Sequence, residues 1–261
     1  MHNRLQDRAA AYATPADLAV RDWLLVGLSV SAGIYEAICF LAFGKVFAGF
    51  QTGNLVFLGF GVAGTRPPAG PNPVTVVISL AAFAAGAMLA MAVLRPFDGD
   101  REVADNKVFQ TWPRSVSIAL ALALILQAAF LIVWITAASP AGLAYLLIAL
   151  AAAAMGLQTN AVRSLHVPGI STTAFSATFI DLASGLATWT LTWPEARRLT
   201  ASLAGVAAGG FLGDWMLGHA HPYAPVVPPV ITAVVIAIAW VTLKPRALSD
   251  QPGEQGSPPR K

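Results

Sequence analysis

Charged residues are scarce in this sequence. They make up 11% of its 261 residues, whereas hydrophobic residues make up 56%. About a quarter of a typical soluble domain is charged, so these few charges cannot cover a soluble surface. The scarcity excludes a soluble enzyme and a disordered chain. A nucleic-acid-binding protein is excluded too, because the net charge is only +3 and the basic residues stand in small groups.

Cysteine and the familiar catalytic motifs are also nearly absent. The single cysteine, Cys39, excludes an intramolecular disulfide and a multi-cysteine metal site. His219 and His221 lie two residues apart without an evident third ligand, so they do not indicate a metal. The sequence has no Walker loop, dinucleotide fingerprint, nucleophile elbow or HExxH motif. We therefore predict neither an enzyme nor a protein with a metal or another cofactor.

Long uncharged runs fill most of the sequence instead. The 48 residues between Arg114 and Arg163 carry no charge, and a membrane-spanning helix needs about 20 apolar residues. This run therefore holds two helices, separated by turn residues at 139–142. The predicted class is all-α, a polytopic helical membrane protein. Full spans are predicted near 23–43, 74–94, 116–137, 142–163, 199–218 and 226–243.

Two further apolar segments give a weaker signal. Segment 51–64 is short and rich in glycine, and segment 171–190 is rich in serine and threonine. Each either crosses the membrane or enters and leaves on one side as a re-entrant helix. A single membrane domain is predicted over 22–244. It lies between a polar N-terminus (1–21) and a Pro/Gly-rich tail (245–261) that we expect to be disordered.

The lysine and arginine positions distinguish six spans from eight. Cytoplasmic loops of membrane proteins hold the excess of these residues. With eight spans and a cytoplasmic N-terminus, ten of the 16 Lys/Arg residues lie inside and six outside. With six spans and two re-entrant segments, fourteen lie inside and only Lys45 and Arg66 lie outside. We therefore predict six spans with both termini cytoplasmic, and keep eight spans as the alternative.

The two halves of the membrane domain, 22–137 and 142–244, share one organisation. Thr52-Gly53-Asn54 stands 124 residues before Ser176-Ala177-Thr178. Small residues also recur every fourth position in one span of each half, 123 residues apart, at Ala82, Gly86, Ala90, Gly205, Gly209 and Gly213. This spacing lets helix backbones approach closely, although Ala/Gly-rich helices also produce it by chance. Three spans per half predict an inverted repeat, an architecture typical of transporters and channels.

Four segments carry a family resemblance. They read GIYEA at 33–37, QTGNL at 51–55, VPGISTT at 167–173 and DLA at 181–183. In order and spacing they resemble the YoaK-like family of bacterial membrane proteins, a domain of unknown function (number 1275), over about 23–243. The resemblance implies a multi-pass inner-membrane protein with no assigned activity or catalytic residue. The sequence departs from the family at Glu36, where Asp is usual, and at 176–178, where Thr-Gly-Thr is usual.

Three acids lie inside apolar segments: Glu36, Asp181 and Asp214. An acid at the centre of a spanning helix costs on the order of 2.5–3.5 kcal/mol, so it normally faces the bundle interior and has a partner. For Glu36 and Asp181 this predicts a proton or cation relay or a polar lining for a solute. The alternative is a structural hydrogen bond, and for Asp214 that structural role is favoured.

The Thr-Gly-Asn and Ser-Thr-Thr blocks are predicted to begin two half-helices. Such side chains cap helix N-termini, and a half-helix that ends inside the membrane has a positive end that favours an anion or a carboxylate, here Glu36. The alternative is ordinary caps near the surface. The predicted substrate- or ion-binding residues are Glu36, Thr52, Gly53, Asn54, Thr172, Thr173 and Asp181. Other polar residues of the spans, expected mainly to bond neighbouring helices, are Gln127, Gln158 and Asn160.

Three functions remain to be weighed. The intramembrane acids, the polar half-helices and the paired small-residue faces favour a small-solute transporter or channel. An intramembrane enzyme would need a convergent base and nucleophile, which the sequence does not offer. A scaffold or accessory protein needs only polar residues that bond helices. We therefore predict transport of a small solute or a proton, with a scaffold as the alternative. The predicted partners are membrane lipid and that solute, and not nucleic acid.

Cysteine labelling tests the predicted topology of the first half. In a variant without Cys39, Lys45→Cys and Arg66→Cys are expected to react with an impermeant maleimide from the same face of the membrane. The reason is that segment 51–64 returns to the side from which it entered. Labels on opposite faces would show that this segment crosses the membrane.

Overall fold

Eight helices make up most of the described chain. The computed structural model describes residues 14–65, 67, 70–103, 108–109, 111–137, 140–169, 175–243 and 246–247. The helices are α1 (Pro15–Ala42), α2 (Gln51–Val62), α3 (Pro73–Val103), α4 (Arg114–Thr136), α5 (Ala144–Arg163), α6 (Phe175–Ala187), α7 (Trp193–His219) and α8 (Val227–Thr242). Two-residue strands, β1 (Val108–Phe109) and β2 (Arg246–Ala247), pair antiparallel. The predicted all-α class is confirmed, and the predicted tail lies outside the described residues apart from β2.

Five of the six predicted spans coincide with helices that are long and apolar enough to cross a membrane. They are α1, Pro73–Arg95 of α3, α4, α5, and the stretch His221–Thr242, in which a 3-10 helix (His221–Val226) leads into α8. The sixth predicted span lies within α7, which has 27 residues. Its length suffices, but its glycines and charged first turn make it less apolar than the others. The protein is a polytopic helical membrane protein.

Threonine caps set where α1 and α7 begin. Thr14 and Thr192 each form a capping box with an acid three residues later, Asp17 and Glu195, and a proline follows in the first turn of both helices. This arrangement satisfies backbone N–H groups that the helix itself leaves unpaired. As a result α1 begins well before the predicted span at 23–43.

The short helices α2 and α6 leave and return at the same end of the bundle. One apolar cluster joins the end of α1 to the start of α3, through Phe43 and Val76. Another joins the start of α1 to the later part of α3, through Leu24 and Leu94. The connection through α2 therefore stays at one end. In the second half, Arg198 Nη2 at the start of α7 donates to the Pro168 carbonyl after α5, at 3.2 Å.

The lengths of α2 and α6 also show that neither helix crosses the bilayer completely. α2 has 12 residues and α6 has 13, so each is about 18–20 Å long. The hydrocarbon core of a bilayer is about 30 Å thick. These lengths argue against eight full spans, and five helices are long and apolar enough to cross a membrane.

Two helix pairs, α1–α7 and α3–α5, pack backbone against backbone at glycines. A Cβ at Gly33 would clash with the Val206 carbonyl of α7, and a Cβ at Gly209 would clash with the Val30 carbonyl of α1. Between α3 and α5, a Cβ at Gly156 would clash with the Phe83 carbonyl, and one at Gly86 with the Ala153 carbonyl. Each α1–α7 residue thus has a counterpart in α3–α5 at a spacing of 123: 33 and 156, 30 and 153, 83 and 206, 86 and 209.

The remaining small residues of the two triplets extend these contacts. Gly205 and Gly213 lie along α1, and a Cβ on them would come within 3.3 Å of the Val26 carbonyl and 2.9 Å of the Ile34 carbonyl. The partner residues on α1 advance along the chain as the glycines do, so α1 and α7 run parallel. On α3, Ala90 is fully buried and Ala82 is half-buried.

Substitution of Gly209 tests the α1–α7 contact. We expect Gly209→Leu to lower the free energy of unfolding by about 1–3 kcal/mol or more, because the added side chain has to displace the backbone of α1. Gly218→Leu is the matched control on the same helix, since nothing lies within 4 Å of a Cβ at Gly218. Thermal unfolding in detergent measures both. Equal melting temperatures for the two variants would contradict the close contact.

Candidate functional site

Glu36 is buried in α1 and binds the backbone that leads into α2. Its side chain is 4% exposed. One carboxylate oxygen accepts the Ala48 N–H at 2.9 Å, and the other accepts the Gly49 N–H at 2.6 Å. Both donors lie in the loop immediately before α2. The structure therefore brings the buried acid to the N-terminal end of the first short helix.

The loop between α1 and α2 is held in this shape by Asn54. Gly44 and Lys45 have φ of +81° and +66°, which turns the chain back over the end of α1. Asn54 Oδ1 accepts the Phe47 N–H at 3.0 Å, and its Nδ2 donates to the Phe47 carbonyl at 2.8 Å. Ser79 of α3 donates to the same carbonyl at 2.7 Å. These bonds fix the loop so that its next two N–H groups face Glu36.

The expectation that the Thr-Gly-Asn block caps α2 is wrong. The helix begins at Gln51, so the block lies in its first turn, and the N-cap residue Phe50 makes no side-chain cap bond. Thr52 is exposed. A Cβ at Gly53 would lie 3.0 Å from ring carbons of Phe47, so this glycine makes room for that ring. Asn54 clamps the preceding loop instead of the helix end.

The N-terminal ends of α2 and α6 meet through aromatic rings. Phe50, before α2, packs edge-on against Phe175, the first residue of α6, with ring centroids 6.0 Å apart. Phe47 stacks on Phe40 of α1 at 5.0 Å and on Phe57 of α2 at 5.7 Å. An aromatic cluster therefore lies where the two short helices begin.

The buried faces of α2 and α6 correspond at a spacing of 124 residues. The buried residues of α2 are Asn54 and Gly61, and those of α6 are Thr178 and Gly185. Unlike Asn54, the hydroxyl of Thr178 has no hydrogen-bond partner among the described residues. Thr178 therefore occupies the place of Asn54 in the second short helix, without a bond like those of Asn54 among the described residues.

Glu36 shares a groove with Asp214, which the sequence analysis assigned to a structural role. The groove has a volume of about 270 Å³ and runs along the α1–α7 crossing. Its lining residues are Gly33, Glu36, Ala37, Phe40, Leu41, Phe47, Phe50, Val206, Gly210 and Asp214. Asp214 itself is exposed. Gly213, next to Asp214, packs on Ile34 and Ala37, which lie close to Glu36 in α1.

Asp181 lies apart from the groove lining. It is exposed on α6 and adjoins Gly169, where its Oδ2 is 3.2 Å from the position of an added Cβ. Thr172 and Thr173 lie outside the described residues, so their place relative to Glu36 stays a prediction. Within the described part of the chain, no group of three or more His, Cys, Asp or Glu residues is arranged to hold a metal ion.

Two alanine substitutions test whether Asn54, rather than the nearby Thr52, stabilises the loop before α2. We expect Asn54→Ala to lower the free energy of unfolding by about 1–3 kcal/mol, because both polar groups of the Phe47 backbone lose a buried partner. Thr52→Ala, two residues away on the exposed face, is expected to have almost no effect. Chemical or thermal unfolding in detergent measures both, and equal effects would show that the clamp is not a stabilising element.

The comparisons with known proteins agree with this architecture. The family model described as "Protein of unknown function (DUF1275)" matches residues 24–238. The "UPF0700 transmembrane protein YoaK" of Bacillus subtilis (strain 168) is 33% identical over 165 residues, which are 63% of this chain and 66% of that protein. The match thus covers just under two thirds of the relative's length. No solved structure matches the chain. The family match spans most of the membrane helices, and we conclude that the chain belongs to the DUF1275 family of membrane proteins of unknown function.

Proposed function

We propose that this protein is a small-solute transporter or channel of the bacterial inner membrane, built from two inverted repeats with both termini cytoplasmic. One observation carries the proposal. The contacts of Gly33 and Gly209 between α1 and α7 have equivalent contacts between α3 and α5, and the residues of the equivalent contacts are 123 positions apart in the sequence. Inverted repeats with short or broken helices recur among transporters, which bind their substrates at the repeat interface.

Helix packing supports the repeat beyond the glycines. A rotation that exchanges the halves carries α1 to α5, α2 to α6, α3 to α7 and α4 to α8. Under this rotation the α1–α8 pair becomes the α5–α4 pair, and the α2–α3 pair becomes the α6–α7 pair. All four of these pairs are packed in the bundle. Each half contributes three long helices, an odd number, so the two halves have opposite orientations.

Glu36 and Asp214 supply the chemistry that we assign to the α1–α7 groove. Glu36 is the buried acid at the beginning of α2, and Asp214 is the exposed acid at the other wall. Helix N-termini carry a partial positive charge that stabilises an anion, and here the carboxylate of Glu36 occupies that place. A proton taken up by Glu36 would weaken its bonds to Ala48 and Gly49. Proton binding would thereby be coupled to the position of the loop before α2.

One observation favours the scaffold as the second candidate. Each oxygen of Glu36 already accepts a backbone N–H. A fixed structural tie would use the carboxylate in the same way, since bonds from N–H groups to an ionised acceptor are strong. The two functions therefore differ in whether Glu36 exchanges a proton, which a flux measurement can decide.

The deciding experiment is a flux assay in proteoliposomes under a pH gradient. A pH-sensitive dye inside the vesicles reports proton movement while a panel of small solutes is offered outside. We expect at least one solute to move with protons in the unmodified protein, and Glu36→Gln to abolish this pH-driven flux. Glu195→Gln is the matched control, because Glu195 is a half-buried capping residue at the start of α7 and does not line the groove.

Folding has to be followed in the same variants. Glu36→Gln keeps one acceptor oxygen, so we expect folded protein with a somewhat lower melting temperature. Transport is supported when flux disappears while folded protein remains. The scaffold is supported when the unmodified protein moves no member of the panel and the Glu36 variant loses only stability.

A further inference from the structure

A column of uncharged polar side chains lies buried between α1, α4 and α5. Four of these side chains are fully buried, yet five of their polar atoms have no hydrogen-bond partner among the described residues. The atoms are Ser31 Oγ, Tyr35 Oη, Gln127 Nε2 and Oε1, and Gln158 Oε1. Buried polar groups are nearly always paired, with protein or with ordered water. Unpaired atoms on three neighbouring helices therefore suggest bound molecules that pair them.

The helical periodicity of α1 places Ser31 between the bond made by Gln158 and the ring of Tyr35. Gln158 Nε2 donates to the Leu28 carbonyl of α1 at 3.2 Å. This bond fixes the orientation of the amide and leaves Oε1 free. Ser31 and Tyr35 follow Leu28 by three and seven residues, so all three share one face of α1. The polar groups on α1 therefore span about 10 Å along the helix.

Gln127 of α4 lies at the same height in the bundle as the Ser31 turn of α1. The Tyr35 ring packs edge-on against Phe130 of α4, with centroids 5.4 Å apart. Phe43, further along α1, packs against Trp134, further along α4, so the two helices run parallel. Gln127 lies one turn before Phe130, which places it level with the turn of α1 that carries Ser31.

The column is lined from both halves of the chain. Tyr35 and Gln158 are 123 residues apart, the spacing that relates the two glycine crossings. Equivalent positions of the two halves thus each contribute an unpaired polar atom to the column. A site formed in this way lies at the interface of the repeats.

The lining defines the chemistry of the ligand. Hydroxyl and amide groups both donate and accept hydrogen bonds, and none of the four side chains is charged. We propose that Ser31, Tyr35, Gln127 and Gln158 form a binding site for small uncharged hydrogen-bonding molecules, either water or a small amide. The site is separate from the Glu36–Asp214 groove, and it stands whether or not the protein transports a solute.

Hydroxyl-radical footprinting by X-ray radiolysis tests for bound water in the column. Radicals formed from a buried water modify the side chains next to it. We expect several-fold faster modification of Tyr35 than of Trp134, which is equally enclosed but has its ring N–H bonded to the His221 carbonyl. Gln127→Leu, of similar volume, is expected to slow Tyr35 modification towards the Trp134 rate. Equal protection of Tyr35 and Trp134 in the unmodified protein would overturn the proposal.

Urea, a small amide, distinguishes the two ligand sources. Tyr35 modification is measured with and without urea, relative to the exposed Trp193. A lower ratio with urea shows that the site accepts an amide, and an unchanged ratio shows that it holds water alone. Both results support a site for uncharged molecules.

Thermal stability provides an independent check. If bound molecules pair the hydroxyl of Tyr35, Tyr35→Phe lowers the melting temperature more than the matched control Tyr145→Phe, whose ring is half exposed. If the column is dry, removal of an unpaired hydroxyl raises the melting temperature instead. A rise in the Tyr35 variant would therefore contradict the proposal.

Discussion

Direct contact between helix backbones is the constraint on which the rest of this structure depends. In a bilayer, lipid tails are as apolar as leucine, so helices gain stability mainly by packing closely and by polar bonds between them. Gly33 and Gly209 allow α1 to lie against α7, and Gly86 and Gly156 allow α3 to lie against α5. The first of these crossings also sets the register by which Asp214 and Glu36 line the same groove. A side chain at Gly33 or Gly209 would push α1 and α7 apart, and it would thereby move the walls of the groove.

Backbone satisfaction is the second constraint, and it explains why an acid is buried at the end of α1. The loop before α2 has N–H groups that no helix pairs, and such groups are costly wherever water is excluded. Glu36 accepts two of them, and Asn54 pairs the Phe47 backbone. The bonds that stabilise the loop are thus the same bonds that proton uptake by Glu36 would weaken. Stability and any transport chemistry therefore depend on one side chain.

The sequence predicts features that depend on local composition, but it does not predict those that depend on register between distant segments. Uncharged runs and glycine content locate the long helices and the short α2 and α6, because a helix forms from its own residues. The sequence does not predict that Asn54 clamps the loop, because its bonds to the Phe47 backbone form only when the loop folds back over α1. The glycine triplet indicates that α7 packs closely on another helix, but it does not show that this helix is α1, so the groove shared by Glu36 and Asp214 is not predicted.

The two halves share a backbone plan but differ in charge. At a spacing of 123, the counterpart of Glu36 is Thr159, whose hydroxyl bonds the Met155 carbonyl of its own helix. The counterpart of Asp214 is Met91, which is exposed and apolar. Among the described residues, acids therefore line the α1–α7 crossing, and their counterparts at the α3–α5 crossing are uncharged. The two crossings therefore pack alike but differ in charge. The uncharged column of α1, α4 and α5 takes polar groups from both halves of the chain.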